Sequence, residues 1–190
     1  MGNRKKIAVL FSGTGSNFAH IVKTLHNKEV EVVVALTNNP HAKGIEIAKA
    51  VGIPLEVIDS KKYSSREAFD AVVVERLKQY APDLTVLAGF MRILTPVFTD
   101  AITSINLHPS LLPRHKGLHA IEKSYQDDFP TGGVSIHYVS SELDGGEIIL
   151  QKEISKKGLS SDSYHTAIRH LEKEALVEAI RTVLLSDKGE

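Results

Sequence analysis

The chain of 190 residues has no cysteine and no tryptophan. Without cysteine there is no disulfide framework, no thiolate nucleophile and no cysteine-bound zinc, so covalent catalysis would need another side chain. Net charge is missing too: 23 Lys and Arg balance 23 Asp and Glu. That balance argues against bulk attraction to nucleic acid or to an anionic membrane, and neither is expected as a partner. No apolar run approaches the ~18 residues of a membrane-spanning helix. The basic start before Ile7–Phe11 superficially resembles a signal peptide. The apolar run that follows is too short, because an h-region needs ~7–15 residues. Lys6 stands where N-myristoylation wants Ser or Thr. The expectation is a cytoplasmic protein with a single domain over residues 1–190. Histidine is plentiful by contrast, with nine residues.

Strand-length apolar runs alternate with helical patterns in the first half. Ile7–Phe11 reads as a buried strand, Val30–Leu36 as the second, Leu55–Ile58 as a short third and Leu84–Ala88 as another fully apolar one. Ser16–His26, Ala42–Val51 and Ser65–Tyr80 read as helices, the last capped by Ser64 or Ser65. Continuously apolar strands belong in a parallel sheet covered on both faces, and the alternation gives right-handed βαβ units. The second half differs. A short strand over Ser104–Leu107 leads into a proline-rich loop, and His119–Gln126 reads as a helix. Val134–Val139 and Glu147–Ile154 form an antiparallel pair, and Ser163–Leu185 a final helix. The expected fold is therefore α/β: a Rossmann-like, mostly parallel open sheet with helices on both faces and antiparallel additions in the C-terminal half. The first half, 1–100, would hold a phosphate-bearing substrate, and the second, 101–190, the catalytic groups.

Three segments stand out. Ser12-Gly13-Thr14-Gly15-Ser16-Asn17 links the first strand to the first helix. Its glycines allow a close approach of backbone to ligand, and the helix N-terminus favours an anion. Phe18 occupies the third glycine position of a dinucleotide fingerprint, and the Gly-Lys-Ser/Thr of a P-loop is missing. A phosphate on a small substrate is favoured over a nucleotide cofactor, although a tight turn capped by Ser16 explains the same residues. Asn106 and His108 lie two apart at a strand end, so they project to the same side. An Asn amide can donate to a developing oxyanion, and a His can serve as acid or base near neutral pH. A core pair satisfying each other is the plainer alternative. Glu142-Leu143-Asp144-Gly145-Gly146-Glu147 joins two strands. Asp-Gly is an ordinary hairpin signal, yet three carboxylates leave one spare to orient His108.

On these residues the sequence resembles the phosphoribosylglycinamide formyltransferases, a branch of the folate-dependent formyltransferase family. The matching pieces are the Gly-x-Gly-Ser-Asn loop, Ala88-Gly89-Phe90-Met91-Arg92-Ile93-Leu94, Asn106-Leu107-His108-Pro109-Ser110-Leu111-Leu112-Pro113 and Glu142-Leu143-Asp144-Gly145-Gly146. Their order and spacing fit almost the whole chain. The resemblance implies transfer of the formyl group of 10-formyltetrahydrofolate to the amine of glycinamide ribonucleotide in purine biosynthesis. It implies direct attack through a tetrahedral intermediate, with no metal. It assigns catalysis to Asn106, His108 and Asp144, and support to His137. It assigns the ribonucleotide and its phosphate to Gly15, Ser16, Asn17 and Glu172. It assigns the folate to Arg66, Met91, Arg92, Ile93, Leu94, Val139, Ser140, Ser141, Glu142 and Leu143. For Glu172 a solvated helical carboxylate is the competing reading. Relatives often have Tyr-Pro-Gly before Leu118, where this chain has His115-Lys116-Gly117. That departure is expected to alter only the loop edge.

A formyltetrahydrofolate hydrolase shares the three catalytic types but carries a further N-terminal domain, for which 190 residues leave no room. Methionyl-tRNA formyltransferase adds a C-terminal nucleic-acid-binding domain, and a sugar-nucleotide formyltransferase is a weaker fit. A catalytically silent folate- or phosphate-binding protein is the alternative of a different class. The oligomer expected is a monomer or a homodimer. Of the remaining histidines, His119 caps a helix or lines the site, and His20, His26, His41, His165 and His170 are expected at the surface.

Overall fold

A computed structural model describes residues 2–186. The chain divides into two compact units, Met1–Ile105 and Asn106–Glu190.

The first unit begins with β1 (Lys5–Phe11), whose last five residues are all buried. Then follow α1 (Ser16–Leu25), β2 (Val30–Thr37), α2 (Gly44–Val51), β3 (Leu55–Val57), a 3-10 turn (Ser60–Lys62), α3 (Arg66–Tyr80), β4 (Leu84–Leu87) and α4 (Pro96–Thr99). Strand β5 (Ser104–His108) starts here and ends in the second unit. The order is β3-β2-β1-β4, with the start of β5 next to β4. The pairings β1–β2, β1–β4 and β2–β3 are parallel, as the apolar runs foretell, with β3 at the sheet edge only partly buried. Phe11 stacks on Phe18 of α1 with ring centroids 5.2 Å apart. Burying such a side chain stabilises by ~1.5–3 kcal/mol. Gly44 admits α2 to the same ring, since a Cβ there would lie 2.5 Å from it. Ser65 caps α3, its Oγ accepting the Ala68 N–H at 3.1 Å. Buried Asp70 of α3 accepts the Thr95 N–H and hydroxyl at 2.8 and 2.7 Å, which fixes the residue opening α4. The sequence pattern does not reveal α4, a single proline-led turn.

The second unit continues from β5 through α5 (Ala120–Gln126), β6 (Thr131–Tyr138), β7 (Ile148–Ser155) and α6 (Ser161–Leu184). Its strand order is β5-β6-β7, and β6 pairs with β7 antiparallel from Thr131↔Ser155 to His137↔Ile148. The long helix α6 packs on both of these strands. Its residues Tyr164, Ile168, Leu176 and Ile180 are buried. Gly132 makes room for Tyr164, because a Cβ would meet its hydroxyl at 1.8 Å. Helix α6 starts two residues earlier than the pattern suggests, capped by Ser160 Oγ on the Ser163 N–H at 3.1 Å. Among the described residues no helix is long and apolar enough to cross a membrane.

Candidate active site

In the second unit β5 ends on Asn106, Leu107 and buried His108. Alternation along a strand puts Asn106 and His108 on one side. His108 Nδ1 lies 3.5 Å from Asp144 Oδ2. Its Nε2 is 2.8 Å from the main-chain oxygen of His115. A carbonyl only accepts, so that contact places a hydrogen on Nε2. Asp144 is buried and has φ of 51°, a left-handed conformation that Asp tolerates better than most residues. Its Oδ2 also accepts the Gly117 N–H at 2.9 Å. The Asp-Gly-Gly segment is thus more than a hairpin turn: it turns a carboxylate inward. Gly146 permits the bend, since a Cβ there would lie 1.7 Å from the Tyr138 oxygen.

His137 completes the group from β6. It is buried, with Nδ1 2.8 Å from the Tyr138 oxygen and Nε2 3.8 Å from Asp144 Oδ1. Burial lowers its pKa below the usual 6.5, against the opposing pull of the Tyr138 carbonyl and of Asp144, and His108 lowers it further. Two buried imidazoles therefore flank one buried carboxylate. Such a group can hold and move a proton and offer N–H donors to a developing negative charge.

Glu172 in α6 is 1% exposed, so it is not the solvated carboxylate that its helical position allows. Arg169 donates to both its oxygens, at 2.7 and 3.2 Å. The predicted folate segment Val139–Leu143 forms the connection from β6 towards Asp144. Val139 is half-buried, whereas Ser140, Ser141, Glu142 and Leu143 are exposed. His119 occupies the cap position of α5 with φ of 60°, though its side chain makes no capping bond.

In the first unit Gly15 caps α1 with φ of 73°, and a Cβ would fall 2.7 Å from Gly44 Cα. Ser16 therefore does not cap this helix by its side chain; it is exposed, and Asn17 is half-buried. No acidic residue lies in the first turn of α1. The helix end thus keeps its positive character toward an anion. The loop is tied to the predicted folate segment. Ser12 Oγ donates to Asn38 Oδ1 at 2.5 Å and accepts the Met91 N–H at 2.8 Å, and the Ser12 N–H reaches the Gly89 oxygen at 2.9 Å. Met91 and Ile93 are exposed apolar side chains, and Leu94 is half-buried. The Arg92 guanidinium lies 4.8 Å over the Phe69 ring. Arg66, at the start of α3, is exposed.

Sequence reasoning did not find the roles of His115, Gly117 and Asp127. His115 Nε2 donates to Asp127 Oδ2 at 2.6 Å, and Asp127 Oδ1 accepts from Lys156 Nζ at 2.7 Å. Burial alone would raise the Asp127 pKa. The hydrogen bonds from Lys156, His115 and the Phe129 N–H, with the Lys156 charge, outweigh it and hold the carboxyl at about 2. The only sequence signal there was the departure at His115-Lys116-Gly117. Among the described residues, no group of three or more His, Asp or Glu is arranged to hold a metal ion. His26 is half-buried rather than at the surface: its Nδ1 accepts the Val32 N–H at 3.0 Å, and burial lowers its pKa.

Comparison with known proteins agrees with the residue pattern. A family model described as Formyl transferase matches residues 5–180. The phosphoribosylglycinamide formyltransferase of Escherichia coli (strain K12) is 39% identical over 152 residues, covering 78% of this chain and 72% of that one. Its counterpart in Bacillus subtilis (strain 168) is 34% identical over 192 residues, covering 98% of each. The trifunctional purine biosynthetic protein adenosine-3 of Bos taurus is 33% identical over 95% of this chain, which spans only 18% of that longer protein. A crystal structure of phosphoribosylglycinamide formyltransferase from Campylobacter jejuni superposes with a TM-score of 0.93 and 48% identity, covering 96% of this chain and 99% of that one. With the family match running nearly end to end, over the β5 end that bears Asn106 and His108 and the turn that bears Asp144, the chain belongs to the formyl transferase family.

Proposed function

We propose that Asn106, His108 and Asp144 carry formyl transfer from 10-formyltetrahydrofolate to the amine of glycinamide ribonucleotide, a step of purine biosynthesis. The amine nitrogen attacks the formyl carbon, and the formyl oxygen becomes negative as the new C–N bond forms. The Asn106 amide and the Nδ1–H of a protonated His108, whose Nε2–H stays on the His115 oxygen, donate to that oxygen. Asp144 orients the His108 ring and takes up the proton lost by the amine, through a water. Collapse of the tetrahedral intermediate breaks the bond to N10 of the folate. The proton is then returned to N10, releasing tetrahydrofolate and formylglycinamide ribonucleotide. The scheme needs neither a metal nor a covalent enzyme intermediate.

The observation that carries this reading is the buried His108–Asp144 pair, 3.5 Å apart at the end of β5. The loop Gly15, Ser16 and Asn17 suits the substrate phosphate, and buried Glu172 suits its amine or ribose. Arg66, Met91, Arg92, Ile93 and Leu94, with Val139, Ser140, Ser141, Glu142 and Leu143, are assigned to the folate; His137 supports Asp144. The protein acts in the cytoplasm on small molecules, as a monomer or homodimer and a single functional domain, without nucleic acid or membrane as partner. The test is consumption of 10-formyltetrahydrofolate with and without glycinamide ribonucleotide. Turnover that requires the acceptor supports the proposal. Rapid hydrolysis indifferent to it would point to a deformylase, and no turnover at all to a binding protein.

A further inference from the structure

The segment His115-Lys116-Gly117 touches the candidate catalytic group through its main chain. The His115 oxygen meets His108 Nε2 at 2.8 Å, and the Gly117 N–H meets Asp144 Oδ2 at 2.9 Å. Each of those contacts requires the segment to hold an unusual backbone, with φ of 54° at His115 and 80° at Gly117. Glycine adopts that region freely, but histidine does not, so something must over-determine the conformation at His115. Its ring provides the anchor, donating to Asp127 Oδ2 at 2.6 Å. Asp127 is itself held. Lys156 Nζ donates to its Oδ1 at 2.7 Å and its main-chain oxygen at 2.9 Å, and to the Ser124 oxygen at 2.7 Å. The Phe129 N–H adds a bond to Oδ1 at 3.0 Å. These side chains are mostly shielded from water, where charge-assisted bonds are strongest.

The other end of the loop is fastened separately. Ser135 Oγ accepts the Leu112 N–H at 3.0 Å and donates to the Ser110 oxygen at 2.7 Å. Gln151 Nε2 donates to the Leu112 oxygen at 3.0 Å. Removing the Asp127 anchor should therefore free residues 115–117 without releasing the whole loop. The exposed Lys116–Glu142 pair at 3.1 Å is too solvated to replace it.

We propose that Asp127 is a positioning residue for formyl transfer: anchored by Lys156, it fixes the His115 ring, and the His115–Gly117 main chain in turn sets His108 and Asp144. This inference rests on the assignment of chemistry to His108 and Asp144. The link passes through the His115–Asp127 pair, not through a group assigned to substrate.

Three variants test it: Asp127→Asn, His115→Ala and the double variant, each assayed for kcat and both KM values. Small displacements of catalytic groups cost up to ~10²-fold, so kcat in each single variant should fall about tenfold, with KM for glycinamide ribonucleotide nearly unchanged. The double variant should be no slower than either single one, because both break one link. His115→Gln, which keeps a donor toward Asp127, should recover most of the lost kcat. Nitrogen NMR of the His108 ring should show the Nε2 proton well defined in the parent and averaged in Asp127→Asn. A kcat within twofold of the parent in folded Asp127→Asn, or fully additive losses in the double variant, would overturn the proposal. If Asp127→Asn does not fold, His115→Ala decides, since it keeps the Asp127–Lys156 pair: an unchanged kcat there also overturns it. His108→Ala is the control. Normal turnover in that variant would sink the underlying assignment itself, whereas its loss alongside a normal Asp127→Asn would sink only the positioning link.

Discussion

In Met1–Ile105 the candidate phosphate loop is made of main chain, glycine and neutral side chains. In Asn106–Glu190 the candidate catalytic group is made of ionisable side chains turned inward. Gly15 illustrates the first kind: its φ of 73° and its approach to Gly44 leave no room for a Cβ. His108, Asp144 and His137 illustrate the second, each buried and within 3.8 Å of another. A site of main-chain donors depends on backbone conformation, so binding and fold stability should fall together when it is damaged. A site of titratable side chains depends on proton position, so chemistry should fail there while the fold survives. The charge-neutral composition fits this division, because recognition of anionic substrates would have to be local.

The sharpest way to break the comparison is at the second unit. His108→Ala should lower kcat by ~10²-fold or more, with KM values little changed, if the ring is both proton carrier and oxyanion donor. Asp144→Asn keeps the shape but removes the charge and should cost a similar factor. Both proteins should retain most of their melting temperature. A variant with near-normal turnover, or one that loses substrate affinity instead of kcat, would mean that these side chains bind and do not catalyse.

The first unit should respond in the opposite way. Gly15→Ala forces a left-handed alanine and a contact with Gly44 Cα, so a destabilisation of about 2–3 kcal/mol is expected. KM for glycinamide ribonucleotide should rise while kcat at saturation holds. Equilibrium denaturation and steady-state kinetics on the same preparation check both halves. A kcat loss at unchanged KM would erase the contrast with His108→Ala. A smaller effect, with no bearing on either site, comes from Ser65→Ala. Losing the cap on the Ala68 N–H should cost about 1 kcal/mol and leave kcat alone. It calibrates how much stability the first unit can lose before activity follows.

The difference between the units also governs what the sequence makes legible. Strand and helix positions in the first unit follow from apolar runs and caps, and they fall within two residues of the observed bounds. Asn106 and His108 stand out as two polar residues on one face of an otherwise apolar strand end, whereas Asp144 sits in an ordinary hairpin signal and is singled out by the family resemblance. Glu172 was ambiguous, since helical periodicity alone does not reveal whether a carboxylate is buried. The His115–Asp127 contact left no signal beyond the departure at His115-Lys116-Gly117: the two meet through side chains 12 residues apart across a loop and a short helix, which no local pattern encodes. The short turn α4 was missed for a related reason, because its opening residue is fixed by Asp70 from α3.

The finest test of the contrast is the response of stability to pH at His137. Its pKa in the folded protein is lowered, mainly by burial, whereas in the unfolded chain it titrates near ~6.5. Above that value the imidazole is neutral in both states, and its contribution to stability is fully present. As pH falls below it, the unfolded chain takes up the proton first, so stability drops until the lowered folded pKa is passed. Melting temperatures of the parent and of His137→Gln, measured from pH 8 to pH 5, should therefore diverge in slope only in the acidic part of the range. The parent should lose more stability per pH step. His26 is also shifted downward by burial, but it is common to both proteins and cancels in the difference. Parallel curves would show that burial at His137 does not restrain its protonation, and the view of the second unit as a store of inward-facing titratable groups would lose its central member.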